Sequence, residues 1–211
     1  MRVGKVTRRT KETDTVVELE LDGSGRTGVE TGLPFLDHLL QAFACHGRFD
    51  ISVRAKGDIE VDGHHTVEDI GLAMGTALAQ ALGKREGLRR WGWAFLPMDE
   101  ALVQVAVDLG GRPFLVYRVP IVARSYGHFH TEMAADFWRA FCQQGGATLH
   151  VNLAYGENSH HVLEAVWKAV GVALREAAAR DDRVTGPLST KGSIDTTIDT
   201  AADSATDGGP R

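Results

Sequence analysis

The feature that most constrains this chain is a pattern that occurs twice. Residues 64–68 read His-His-Thr-Val-Glu, and residues 160–164, 96 residues further on, read His-His-Val-Leu-Glu. Each copy heads a long segment with an apolar stripe. Val67, Ile70, Met74, Leu78 and Ala81 recur at spacings of three and four in the first, and Val162, Val166, Val170 and Leu174 do so in the second. That period predicts helices over 66–82 and 162–178, each with one buried face. A chain that repeats a long helix together with its polar head is built from two similar halves.

The flanking segments agree. Residues 16–21 alternate apolar and polar as a half-buried strand does, Gly23, Gly25 and Gly28 mark turns, and 34–43 has helical spacing with Pro34 suited to a first turn. Residues 49–61 read as a hairpin turning at Lys56, Gly57 and Asp58. In the second half, 101–121 reads as a strand pair broken at Gly110 and Gly111, 131–142 as a helix and 147–154 as a strand. Strand-helix-strand-helix, twice, predicts an α+β protein whose sheets are covered on one face by paired helices. The halves are expected at 1–93 and 94–192, with an acidic tail at 193–211. Residues 195–211 hold four Asp, no aromatic and one Ile. That is too little apolar surface to offset the entropy of ordering, so the tail is expected to be disordered.

On a helix, positions i and i+4 share a face, so His64 and Glu68 can reach one ion together, and so can His160 and Glu164. The adjacent His65 and His161 project about 100° away and would serve another site or another metal. His38, 26 residues before His64, and Asp136, 24 residues before His160, hold matching places in the preceding helices. The sum is eight potential ligands: five His, one Asp and two Glu. Imidazole with carboxylate and no thiolate suits Mn, Fe or Zn; six ligands per ion would favour octahedral Mn or Fe, and four would favour Zn. A lone His near a helix start is usually a cap or a satisfied polar contact. Packing alone does not ask for two adjacent imidazoles twice. No His-Glu-x-x-His is present, which excludes the common zinc-peptidase arrangement.

Composition excludes other classes. Lys and Arg total 23 against 28 Asp and Glu, a net charge of -5, so broad binding to a nucleic-acid backbone is not expected. No run reaches the roughly 18 apolar residues of a membrane helix, and no apolar stretch behind the polar start suggests a secretory signal. Cys45 and Cys142 make no C-x-x-C and no disulfide framework; buried thiols in a reducing cytoplasm are expected. His46, His128, His130 and His150 lack a partner pattern and read as structural or surface residues. Trp91, Trp93, Trp138 and Trp167 read as core or interface packing.

Seven stretches carry a resemblance: Arg8 to Thr13 (RRTKET), Gly32 to His38 (GLPFLDH), His64 to Asp69, Pro97 to Glu100 (PMDE), Gly111-Arg112-Pro113, Gly156 to His161 (GENSHH) and Ser189 to Gly192 (STKG). On these the sequence resembles the imidazoleglycerol-phosphate dehydratase family over about residues 8–191. The resemblance implies two duplicated halves, each a four-stranded sheet with two helices, assembled into trimers and then a 24-mer with metal sites where subunits meet. It implies dehydration of D-erythro-imidazoleglycerol phosphate to imidazoleacetol phosphate in histidine biosynthesis, with two Mn2+ ions per active site binding the substrate ring as imidazolate. Carried over by position, His38, His64, His65, Glu68, His160, His161 and Glu164 match the metal ligands. Asp136 stands where several relatives have His. Arg90 and Arg112 match phosphate-binding arginines, joined by Ser189, Thr190 and Lys191. Glu12 matches a carboxylate at the substrate, suited to moving a proton, and Glu68 and Glu164 join it as catalytic carboxylates. A metal-stapled structural protein and a metal-dependent phosphatase are the competing readings. The positions Glu12, Arg90, Arg112 and Lys191 favour the lyase, because a staple does not need them.

Overall fold

The computed structural model describes residues 1–190 and residue 194. The first half runs β1 (Val3–Arg9), β2 (Thr13–Glu20), β3 (Thr27–Glu30), α1 (Pro34–Gly47), β4 (Asp50–Gly57) and α2 (His64–Leu82). The second runs β5 (Trp91–Met98), β6 (Ala101–Asp108), β7 (Phe114–Arg118), a small hairpin of β8 (Ser125–Tyr126) and β9 (Phe129–His130), then α3 (Met133–Gly145), β10 (Thr148–Tyr155) and α4 (Ser159–Ala178). The sheets have matching orders, β1-β2-β4-β3 and β5-β6-β10-β7. In each, three strands are antiparallel and the fourth pairs parallel to its neighbour: β3 with β4, β7 with β10. The expected α+β class and its two four-stranded sheets are therefore present.

Alternation explains which face of each sheet is covered. β2 turns Thr13, Thr15, Val17 and Leu19 inward, and β6 turns Ala101, Val103, Val105 and Val107 inward. α2 lies on β1 and β2, and α4 lies on β5 and β6. The helices then meet across the halves: α1 packs on α4, and α2 packs on α3. Four helices thus fill the space between two sheets. Equivalent glycines let these pairs approach closely. A Cβ at Gly75 would meet the Phe141 carbonyl oxygen at 2.3 Å, and one at Gly171 would meet the Phe43 carbonyl oxygen at 2.4 Å.

Both long helices keep their expected stripes buried. Several local expectations are corrected. Residues 49–61 form one strand, β4, and a turn, because β4 pairs with β2 and β3 rather than folding back on itself. β6 and β7 are both strands, but β10 lies between them. The sequence order omitted β1, β3 and β5. The junction at 93/94 falls inside β5; the connection between the halves ends at Arg90. Cys142 is buried as expected, and burial pushes its thiol up to about 12. Cys45 is exposed, because it lies on the outer side of α1. Trp138 and Trp167 are core residues, whereas Trp91 and Trp93 are exposed on β5. Lys191 and the expected tail, apart from Ile194, lie outside the described residues.

Candidate metal centre

The crossed helix pairing decides which ligands meet. α4 begins at an N-cap, Asn158, whose side chain accepts the His160 N–H. Glu164 follows one turn later on the same face, and the packing of α1 on α4 brings His38 to it. His38 Nε2 lies 3.0 Å and His160 Nε2 3.2 Å from the same Glu164 oxygen, Oε2. Lys168, one further turn along, donates to Oε1 at 2.7 Å. The three ligand atoms lie within 4.8 Å of one another, the one such trio of His, Cys, Asp or Glu among the described residues. Burial pushes the Glu164 carboxyl up, but the hydrogen bonds from Lys168 and His38 outweigh it and hold the group at about 2. It is therefore an anion throughout the neutral range.

The matching position draws on the other helix pair. His64 and Glu68 lie on α2, and Asp136 lies on α3. His64 Nε2 is 3.8 Å from Glu68, and its Nδ1 is 3.7 Å from Asp136. One ring thus faces two carboxylates with different nitrogens, and the three groups do not converge as the first trio does. Asp136 is also engaged: Arg139, one turn on, donates to its Oδ1.

His65 and His161 point away from both groups, as their spacing predicts. His65 Nδ1 lies 3.1 Å from Asp58 and 3.9 Å from Glu12. His161 Nδ1 lies 2.7 Å from Glu100, with Asp99 3.6 Å from its Nε2. The bond to Asp58 raises the His65 pKa, and the bond to Glu100 raises that of His161 and holds Glu100 at about 2. A carboxylate behind one ring nitrogen orients an imidazole and raises its basicity as a ligand.

The expected phosphate residues gather elsewhere. Arg90, at a positive φ of 70°, donates Nε and Nη2 to Asp108 at 2.7 and 3.0 Å and Nη1 to the Leu188 carbonyl at 2.6 Å. The Gly110 turn lies against it: a Cβ there would sit 2.7 Å from Nη2. Arg112 follows on the same turn with an exposed side chain, and Ser189 and the exposed Thr190 continue from Leu188. The Arg90 N–H also binds the Ala177 carbonyl near the end of α4. His160 opens that helix, about 17 residues and so roughly 25 Å away along the axis. The arginine cluster and the His38/His160/Glu164 trio of one chain are thus at opposite ends of α4.

Beside the trio is a cavity of about 450 Å³ lined by Pro34, Phe35, His38, Tyr126, Gly127 and His160. Phe35 stacks on Tyr126 with ring centres 4.0 Å apart. The Tyr126 hydroxyl pairs with Ser159 at 3.0 Å. Sequence reasoning missed this wall, which depends on the β8–β9 hairpin. It also missed Lys168, Asp58, Glu100 and Arg139. Lys168 was within reach, being four residues from Glu164 on one helix face. Asp58 lies seven residues before His65 across the connection from β4 to α2, whereas Glu100, 61 residues from His161, is brought to it only by the tertiary fold.

The profile of the family described as imidazoleglycerol-phosphate dehydratase matches residues 31–174. Imidazoleglycerol-phosphate dehydratase of Syntrophobacter fumaroxidans is 54% identical over 193 residues, 92% of this chain and 98% of that protein. Its counterpart in Acetivibrio thermocellus is 50% identical over 190 residues, 90% of this chain and 97% of that one. The crystal structure of the Pyrococcus furiosus protein, solved in complex with (S)-C348, superimposes with a TM-score of 0.77 at 38% identity, covering 89% of this chain and 99% of that one. That of Staphylococcus aureus does so at 0.77 and 31%, covering 85% and 99%.

Proposed function

The chain belongs to the imidazoleglycerol-phosphate dehydratase family, hydro-lyases of histidine biosynthesis, and we propose that it dehydrates D-erythro-imidazoleglycerol phosphate to imidazoleacetol phosphate at a site holding two Mn2+ ions. The observation that carries the reading is the convergence of His38, His160 and Glu164, drawn from two halves onto one point. Two imidazoles facing an ionised carboxylate, with no thiolate, fit a divalent ion of the Mn, Fe or Zn group. His64, Glu68 and Asp136 supply the second position, and His65 and His161 present oriented imidazoles for ions shared with neighbouring copies. Two bound Mn2+ ions would supply Lewis acidity that holds the substrate ring as its imidazolate and makes a weakly acidic C–H proton removable.

The chain's own groups do the rest. Glu12, whose carboxylate lies 3.9 Å from His65, would carry the proton. Arg90, Arg112, Ser189, Thr190 and Lys191 would bind the phosphate. Asp108 and Leu188 take three of the Arg90 N–H groups, which leaves one on each Nη for the ligand and fixes the plane of the fork. A substrate of one five-membered ring, three carbons and a phosphate cannot span the length of α4. A working site therefore takes its metal ligands and its arginines from different copies, which supports assembly into trimers and a 24-mer. The exposed aromatic face of Trp93, Phe95 and Phe114 is suited to such contacts. Among the described residues no helix is long and apolar enough to cross a membrane. Two unpaired cysteines fit a cytoplasmic enzyme.

The test is turnover of imidazoleglycerol phosphate by chelator-stripped protein with and without added Mn2+. Product formed only after Mn2+ is returned supports the dimetal lyase. No product in either case, with two ions tightly bound, overturns it in favour of a structural metal.

A further inference from the structure

Because the chain is duplicated, its two metal positions can be compared group by group. The first uses His38, His160 and Glu164, and the second uses Asp136, His64 and Glu68 at the matching places. Three differences follow. The imidazole of His38 is replaced by the carboxylate of Asp136. Lys168, which holds Glu164 at 2.7 Å, is replaced by Leu72, which can hold nothing. Gln41 is replaced by Arg139, which donates to Asp136. As a result Glu164 exposes 11% of its side chain and faces two ring nitrogens, while Glu68 exposes 50% and stands 3.8 Å from one.

We propose that the two positions are unequal and load in sequence, the His38/His160/Glu164 position first and the Asp136 position second. The proposal rests on the dimetal reading above. The first position is assembled before an ion arrives, so little ordering accompanies binding. At the second, Arg139 holds Oδ1 of Asp136 and leaves Oδ2 facing His64, but Glu68 has no counterpart of Lys168 and must be drawn in from solvent. Two carboxylates would favour a hard dication by charge, but Arg139 neutralises one of them. The ligand sets also differ in kind. Imidazole suits Zn2+, whereas carboxylate suits Mn2+. The gap between the two steps is therefore wider for Zn2+ than for Mn2+.

Calorimetric titration of the chelator-stripped, full-length protein with Mn2+ and separately with Zn2+, with the ions per chain counted by elemental analysis, tests this. Two resolved steps are expected, further apart for Zn2+. Arg139→Gln, on an exposed side chain, should tighten the second step about two- to fivefold, the range an exposed ion pair commands, and leave the first unchanged. Asp136→His should move the second Zn2+ step toward the first. Two ions bound with a single constant, or a second step unmoved by both substitutions, would overturn the inequality. Fewer than two ions per chain at saturation would overturn the dimetal reading, and the proposal with it.

Discussion

At Glu164, burial alone would favour the protonated acid, yet Lys168 and His38 keep it ionised. Glu164→Gln keeps the shape and removes the charge. It should cost about one bound ion per chain and at least a hundredfold in turnover, read by elemental analysis and product formation. Asp136→Ala should lower bound metal and activity together; a variant with full metal content and rate would remove Asp136 from the ligand set. A third residue acts far from the candidate metal positions. Asp50 accepts the Arg26 guanidinium at 2.7 Å and the N–H groups of Arg26, Ser24 and Gly25, which hold its carboxyl well below the ordinary 3.8. A depressed folded-state pKa stabilises the fold fully above the unfolded value and loses that contribution as pH falls through the folded one. Wild type should therefore melt above Asp50→Asn at about pH 6, with the gap narrowing by about pH 3. At this scale the sequence was legible where geometry is local. Glu68 and Glu164 follow from i,i+4 spacing; Asp58 depends on how the seven-residue step from β4 to α2 turns, and Glu100 reaches His161 from 61 residues away.

The helices were legible and several strands were not, for a physical reason. α2 and α4 bury one stripe against a sheet, and that stripe repeats at a period nothing else shares. β5 reads WGWAFLPM, with Trp91, Trp93 and Phe95 on its exposed side, so apolar residues occupy both faces and the alternation disappears. β3 is four residues long and contains Gly28. The pairing of α1 with α4 and of α2 with α3 left a sequence trace in glycines such as Gly71, Gly75 and Gly171, whose role is visible once the partner backbone is in place. Gly75 and Gly171 each allow the close approach of one helix pair, and so bear on the spacing of the candidate ligands that the pair carries. Gly171→Ala should destabilise the fold by about 1–3 kcal/mol, measured by denaturant unfolding, and weaken metal binding at His38/His160/Glu164. Gly75→Ala should cost a similar amount and weaken the position containing Asp136.

Over the whole molecule, the length of α4 separates the trio at one end from Arg90 and Arg112 at the other. Activity should then be shared between copies. Arg112→Ala and His160→Ala, each inactive when assembled alone, should together regain turnover when co-expressed and co-assembled, because some sites draw an intact metal end from one variant and an intact arginine end from the other. Recovery no greater than the sum of the separate assemblies would place both ends of a site in one copy. The two-half plan was legible from the paired His-His-x-x-Glu alone. The handing of ligands across the halves was not, because it follows from which helix lies on which. That crossing bears on ancestry. A polypeptide half this long would keep the ligand on its shorter helix apart from its own His-His-x-x-Glu pair, and it could have brought the two together only by pairing with a twin, giving two identical pockets. Joining the twins into one gene product released each pocket to drift separately, and His38 set against Asp136 records one step of that divergence.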